Sequence, residues 1–112
     1  MSEAALQSRV IYRAHKHHWK VAHAGKGFVG NVETGDGQFI TPMSPGWPDL
    51  TCAKPGHRLV FMELKREDGV VDDEQWAWLE LLNQCGARAI IVRPSDLREG
   101  RVEAIFRAGS PL

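Results

Sequence analysis

Residues 48 to 65 read PDLTCAKPGHRLVFMELK, and the way this stretch folds decides the architecture. Leu50-Thr51-Cys52-Ala53 and Leu59-Val60-Phe61 are short apolar runs, and Lys54-Pro55-Gly56-His57 between them is a turn signal. A hairpin folded about Gly56 pairs positions whose numbers sum to 112, which sets Asp49 opposite Glu63. Directly opposed residues share a face with Cβ atoms about 5 Å apart, close enough for two carboxylates to hold one ion. A two-residue loop at Pro55-Gly56 puts the acids on opposite faces instead, so their meeting requires an odd loop or a bulge. Alternation then places Lys65 on the face of Glu63, while Val60, Met62 and Leu64 point the other way.

An acid beside one apolar run, and an acid and a lysine closing the next, is costly unless the carboxylates gain partners. Each feature has a bland explanation by itself. Pro-Asp is a common turn pair, and Glu-x-Lys at a strand end serves as a solvated edge pair. Together they describe a divalent-cation site with a cationic helper, which is what phosphodiester hydrolysis needs.

The chain has 112 residues, enough for one domain (1–112) with a modest core. Its formal net charge is zero, so no global basic field advertises nucleic acid. The charge is nonetheless uneven: residues 1–65 carry 8 Lys/Arg against 5 Asp/Glu, and the remainder 6 against 9. Two of the five acids in the first part are Asp49 and Glu63, so a bound cation would make that surface more positive. Cys52 and Cys85 lack Cys-x-x-Cys spacing, which argues against structural zinc and fits two free thiols in a reducing cytosol. No signal-peptide pattern or long apolar run supports export or membrane insertion.

Ser2 is a plausible N-cap for a helix with Leu6, Val10 and Ala14 on one face, reaching about His17. Glu3 in its first turn suits the helix dipole, as do His15, Lys16, His17 and His18 at its end. Trp19 to His23 alternates as a strand that turns His23, with Val21 and Trp19, toward core or site. Residues 24–46 are broken by glycine and proline; a small hairpin of Val29-Gly30-Asn31-Val32 with Gln38-Phe39-Ile40-Thr41 across Gly35-Asp36-Gly37 is expected there. A DNA-contacting flap is the expected role of this segment. Gly25-Lys26-Gly27 lacks the spacing of a phosphate-binding P-loop.

Asp72 to Gly86 bounds a second helix whose inward face carries Gln75, Trp78, Leu79 and Leu82, with Trp76 off that stripe. Gln75 is also the N3 residue of a capping box with Asp72 at the N-cap, so a capping role and a site role both fit. Ala89-Ile90-Ile91-Val92 reads as a strand buried on both faces. Ser95 or Asp96 is expected to cap one final helix carrying Leu97, Val102, Ile105 and Phe106.

Gly46-Trp47-Pro48-Asp49-Leu50, then Phe61-Met62-Glu63-Leu64-Lys65, then a helical Gln75, resemble the VRR-NUC (viral replication and repair nuclease) family of the PD-(D/E)xK nuclease superfamily. Glu3-x-x-x-Gln7, Trp19, His23 and Arg93-Pro94-Ser95-Asp96 also resemble phage and prophage members, so the likeness spans nearly the whole chain. It implies an α/β fold with a restriction-endonuclease-like αβββαβ core, a mixed β-sheet flanked by helices. It implies Mg²⁺ or Mn²⁺ held by Asp49, Glu63 and the Leu64 carbonyl, with Glu3 completing the shell directly or through water. Lys65 would orient or help deprotonate the attacking water, and Gln75 would help arrange the site. DNA, branched or junction-like, is the implied substrate, and a homodimer the implied assembly, as in Holliday-junction resolvases. A nucleic-acid-binding module with a degenerate nuclease fold is the competing expectation.

Overall fold

A computed structural model describes residues 1–24, 27–30, 37–40 and 44–112. Helix α1 (Glu3–Lys16) leads into strand β1 (Lys20–His23), then β2 (Gly27–Gly30), β3 (Gly37–Ile40), β4 (Leu50–Ala53) and β5 (Val60–Leu64). Helix α2 (Asp73–Gln84), strand β6 (Arg88–Val92) and helices α3 (Pro94–Arg98) and α4 (Arg101–Ala108) complete the order. The main sheet runs β1-β4-β5-β6, antiparallel except for the parallel β5–β6 pair that the α2 crossover permits. This is an α/β fold with a mixed sheet flanked by helices. Its core order is α, β, β, β, α, β once the separate β2–β3 pair is set aside.

The β4–β5 register is the one read from the sequence: Leu50 opposes Met62, Thr51 opposes Phe61 and Cys52 opposes Val60. Pro55 and Gly56 (φ +82°) make the turn, closed by His57 N–H donating to the Lys54 carbonyl at 3.1 Å. That turn alone would shift the parity. The extra residue lies at Arg58-Leu59, where the backbone bonds elsewhere. Arg58 N–H donates to the Ser110 carbonyl at 2.7 Å, and the Leu59 carbonyl accepts Arg88 N–H at 2.9 Å. The bulge restores the odd count and with it the shared face of Asp49 and Glu63.

Two cores flank the sheet. Leu6, Val10 and Ala14 of α1 pack with Leu50, Cys52, Val60, Met62, Leu64 and Val92, and with Val102 and Phe106 of α4. Buried Trp19 joins them, its indole N–H donating to the Phe106 carbonyl at 2.9 Å. The other face carries Phe61 and Ala89 against Leu79 of α2. Cys52 is buried, and burial pushes its thiol up to about 12, so it serves as an inert apolar side chain. Cys85 is free and exposed at the end of α2. No helix among the described residues is long and apolar enough to cross a membrane.

Three expectations need correction. β6 is not buried on both faces: it is the sheet edge, with Ile90 and Ile91 half-exposed, and the fully buried strand is central β5. The final helix is two helices, interrupted at Gly100 (φ +79°). Neither Ser95 nor Asp96 is the cap; Arg93 holds that position, and Asp96 Oδ2 accepts its N–H at 2.7 Å. In the 24–46 segment, β2 and β3 pair antiparallel with Phe28 opposite Phe39, beginning earlier than expected. Asn31, Val32, Gly35, Asp36 and Thr41 lie outside the described residues, as do residues 25, 26, 33, 34, 42 and 43 of the expected flap.

Candidate active site

At the end of β5, one residue of the register beyond the paired strands, the ladder is replaced by side chains. By continuing the register, Leu64 faces Pro48, which has no N–H to give the Leu64 carbonyl. The Leu64 N–H donates instead to Asp49 Oδ2 at 2.7 Å, and Ala24 N–H donates to the Asp49 carbonyl at 2.9 Å. Proline thus turns a strand end into a carboxylate held by backbone. It leaves the Leu64 carbonyl on the same edge, facing a residue with no donor.

Glu63 is only 4% exposed and lies within hydrogen-bonding reach of Asp49. Burial, and then the charge of Asp49, push its carboxyl up to about 8; Lys65 opposes the rise, and Glu3 adds to it. The Lys65 ammonium stands 3.9 Å from Glu63 Oε1, too far for a direct hydrogen bond but close enough to bias its charge. At neutral pH this acid pair therefore retains a proton, and one lysine is too little countercharge for two carboxylates. The donor set of hard carboxylate and carbonyl oxygens fits Mg²⁺ or Mn²⁺, which would displace that proton.

Gln75 does both of the things its position allowed. Its Oε1 accepts Asp72 N–H at 3.0 Å and its own N–H donates to Asp72 Oδ1 at 2.9 Å, closing the capping box. Its Nε2 donates to Glu63 Oε1 at 2.8 Å. One amide therefore ties the first turn of α2 to the buried acid. Gln75→Ala is expected to lower stability by about 1 kcal/mol. It should also cut turnover per folded molecule about tenfold or more, as loss of a group orienting a ligand does. Thermal melts alongside cleavage rates check this; lower stability with unchanged turnover would leave Gln75 as a cap alone.

The loop before Asp49 is seated by a contact that only glycine permits. Gly46 has φ +84°, and a Cβ there would sit 2.6 Å from the Glu74 carbonyl carbon and 2.9 Å from Gln75 N. Trp47 then packs edge-on against Phe61 and Trp78, with ring centroids at 5.5 and 4.9 Å, and Trp78 Nε1 donates to the Pro45 carbonyl. Gly46 and Trp47 together fix Asp49 relative to Gln75. Gly46→Ala should cost about 1–3 kcal/mol through its backbone conformation alone, before the clash is counted. It should also weaken Mn²⁺ binding; urea unfolding with metal titration measures both, and unchanged values would remove the brace.

Of the residues read from the sequence, Asp49, Glu63, Lys65 and Gln75 meet here. Glu3 reaches Glu63 only through its charge. Among the described residues no three His, Cys, Asp or Glu side chains close into a metal-holding group. His23 does not join: its partner Leu50 puts it on the α1 side of the sheet, exposed. Arg93-Pro94-Ser95-Asp96 acts from behind. Arg93 Nη1 donates to the carbonyls of Arg66, Glu67 and Gly69 at 2.8, 3.1 and 2.8 Å, holding the turn that follows Lys65. The sequence signalled that motif without its job. The Gly46 contact left only the trace of a glycine before Trp-Pro-Asp.

No protein-family model, curated protein or solved structure matches this chain.

Proposed function

We propose that this protein is a Mg²⁺- or Mn²⁺-dependent nuclease of VRR-NUC type that hydrolyses DNA phosphodiester bonds. The observation that carries the reading is the junction of Asp49, Glu63, Lys65 and Gln75 around a buried, under-compensated carboxylate. Asp49, Glu63 and the Leu64 carbonyl would hold the cation, with Glu3 completing the shell directly or through water. When bound, the cation supplies Lewis-acid stabilisation of charge building on the phosphate and eases ionisation of the attacking water.

The chain's own residues do the rest. Gln75 holds Glu63 in one orientation, and the Leu64 N–H holds Asp49, so neither carboxylate must reorganise as the reaction proceeds. Lys65 Nζ, half-buried beside Glu63, orients the water and offsets negative charge at the phosphorus. The water oxygen forms a new P–O bond, one ester P–O bond breaks, and a phosphate monoester and a free hydroxyl are left. Branched DNA, cut by a homodimer, is the substrate form that the family resemblance implies.

The test is purified protein with labelled junction, flap, duplex and single-stranded DNA, with and without Mg²⁺. Metal-dependent cleavage, strongest on the branched forms, is expected. Binding without cleavage of any substrate, in Mg²⁺ or Mn²⁺, would leave the degenerate binding module as the better reading.

A further inference from the structure

The second half of α1 carries a stripe that the proposed chemistry does not use. Arg9, Tyr12, Arg13 and Lys16 recur at i, i+3, i+4 and i+7, so they line one side of the helix, away from the buried Leu6, Val10 and Ala14. Tyr12 is 66% exposed, a large aromatic with no core to fill. From residue 4 to residue 24 the chain contains no Asp or Glu. Helix α2, on the other face of the sheet, is the reverse, with Asp73, Glu74 and Glu80 and no Lys or Arg. The net charge of zero conceals two faces of opposite sign.

The stripe borders a cleft of about 320 Å³, lined by Met1, Arg9, Tyr12 and Arg13 of the α1 side and Leu97 and Arg98 of α3. Its cations differ in how firmly they are held. Arg13 and Lys16 share Glu103 at 3.1 and 3.6 Å, and Arg98 meets Glu67 at 3.0 Å in an exposed pair. The exposed Arg98–Glu67 pair is worth little and exchanges readily for a stronger anion, whereas Glu103 is a firmer partner, held by His17 at 2.7 Å as well. Glu3, whose charge Glu63 feels, opens the same helix, but the stripe begins six residues further on and on the face of the sheet opposite Gln75 and Glu63, so it is a surface separate from the candidate site. From Arg9 to Lys16 it runs about 10 Å, the axial length of about three nucleotides.

We propose that the Arg9–Tyr12–Arg13–Lys16 stripe receives an unpaired nucleic-acid strand, with its phosphates on the basic side chains and one base stacked on Tyr12. Basic side chains interleaved with an exposed aromatic suit single strands, because every base offers a face to stack and duplex bases do not. The choice of nucleic acid rests on the nuclease reading; the test does not need catalysis.

Fluorescence anisotropy of a labelled oligothymidylate, titrated with protein in EDTA across a range of salt, reads the surface directly. Wild type should bind with affinity falling steeply with salt. Arg9→Gln with Lys16→Gln should flatten the plot of log affinity against log salt by about 1.4. Tyr12→Ala should weaken the single strand roughly tenfold and a blunt duplex much less. All three side chains are exposed, so melting temperatures should stay near wild type. An undiminished salt slope in the double variant, equal losses for single strand and duplex in Tyr12→Ala, or no oligonucleotide binding by wild type would overturn the proposal. So would a change of oligomeric state in sedimentation without a change in oligonucleotide affinity, which would make the stripe a contact with the acidic α2 of a second copy. Failure here with intact metal-dependent cleavage would remove only this surface; binding without cleavage would remove only the nuclease.

Discussion

Glu63→Gln is expected to abolish Mn²⁺ binding and metal-dependent cleavage while raising the melting temperature of the metal-free protein. The amide keeps the shape and can still accept the Gln75 N–H, but it lacks the charge that holds a dication. The stability change follows from the raised carboxyl. Glu63 is lifted above its ordinary value of 4.5 to about 8, so its neutral form is the one the fold favours. That contribution is fully present below about pH 4.5 and is lost as pH rises through about 8. The variant escapes this loss. Its advantage should be small near pH 5 and grow to a few kcal/mol by pH 9. Asp49→Asn should likewise end cleavage, and it retains an oxygen for the Leu64 N–H. Melting curves of the metal-free proteins across that range check the trend; wild-type cleavage in either variant would refute the assignment.

Lys65→Met carries the second large effect. Methionine keeps most of the apolar stem and loses the ammonium 3.9 Å from Glu63. Removing one well-placed charge-stabilising donor typically costs about 10²–10³ in turnover, and a loss of that size is expected. Lys65→Arg keeps the charge but replaces a compact ammonium by a broader planar fork, so it should also fall below wild type. Both should leave Mn²⁺ affinity largely intact, because Lys65 donates no oxygen to the cation. Single-turnover rates beside metal titrations separate these effects. Near-normal cleavage by the methionine variant would make Lys65 a solvated strand-end residue.

Much of this was legible in residues 48 to 65, because strand register is arithmetic once a turn is located. Pro55-Gly56 located it, and the demand that two acids share a face pointed to an odd loop. The cause of that odd loop was not legible. Arg58 and Leu59 are drawn off by Ser110 and Arg88, residues remote in sequence. Gln75 was ambiguous for a physical reason, since one primary amide has enough donors and acceptors for a cap and a carboxylate together. Ala89 to Val92 read as doubly buried because apolar content does not tell a central strand from an edge strand beside a crossover. Gly100 was passed over inside the single final helix expected from Leu97 to Phe106, although its left-handed backbone splits α3 from α4. Alternation put His23 on the face of Val21 correctly, but only its pairing with Leu50 shows that this is the α1 side of the sheet and not the site. The Gly46 brace needed three dimensions, because its partner is the backbone of Glu74 and Gln75.

The most direct test of the central claim is a calorimetric titration of the protein with Mn²⁺ near pH 7, repeated in buffers of different ionisation heat. A site built from Asp49 and a proton-retaining Glu63 predicts Mn²⁺ binding that releases up to about one proton, both effects vanishing in Glu63→Gln. No Mn²⁺ binding by the folded wild type, or equal binding by the Glu63→Gln variant, would contradict it.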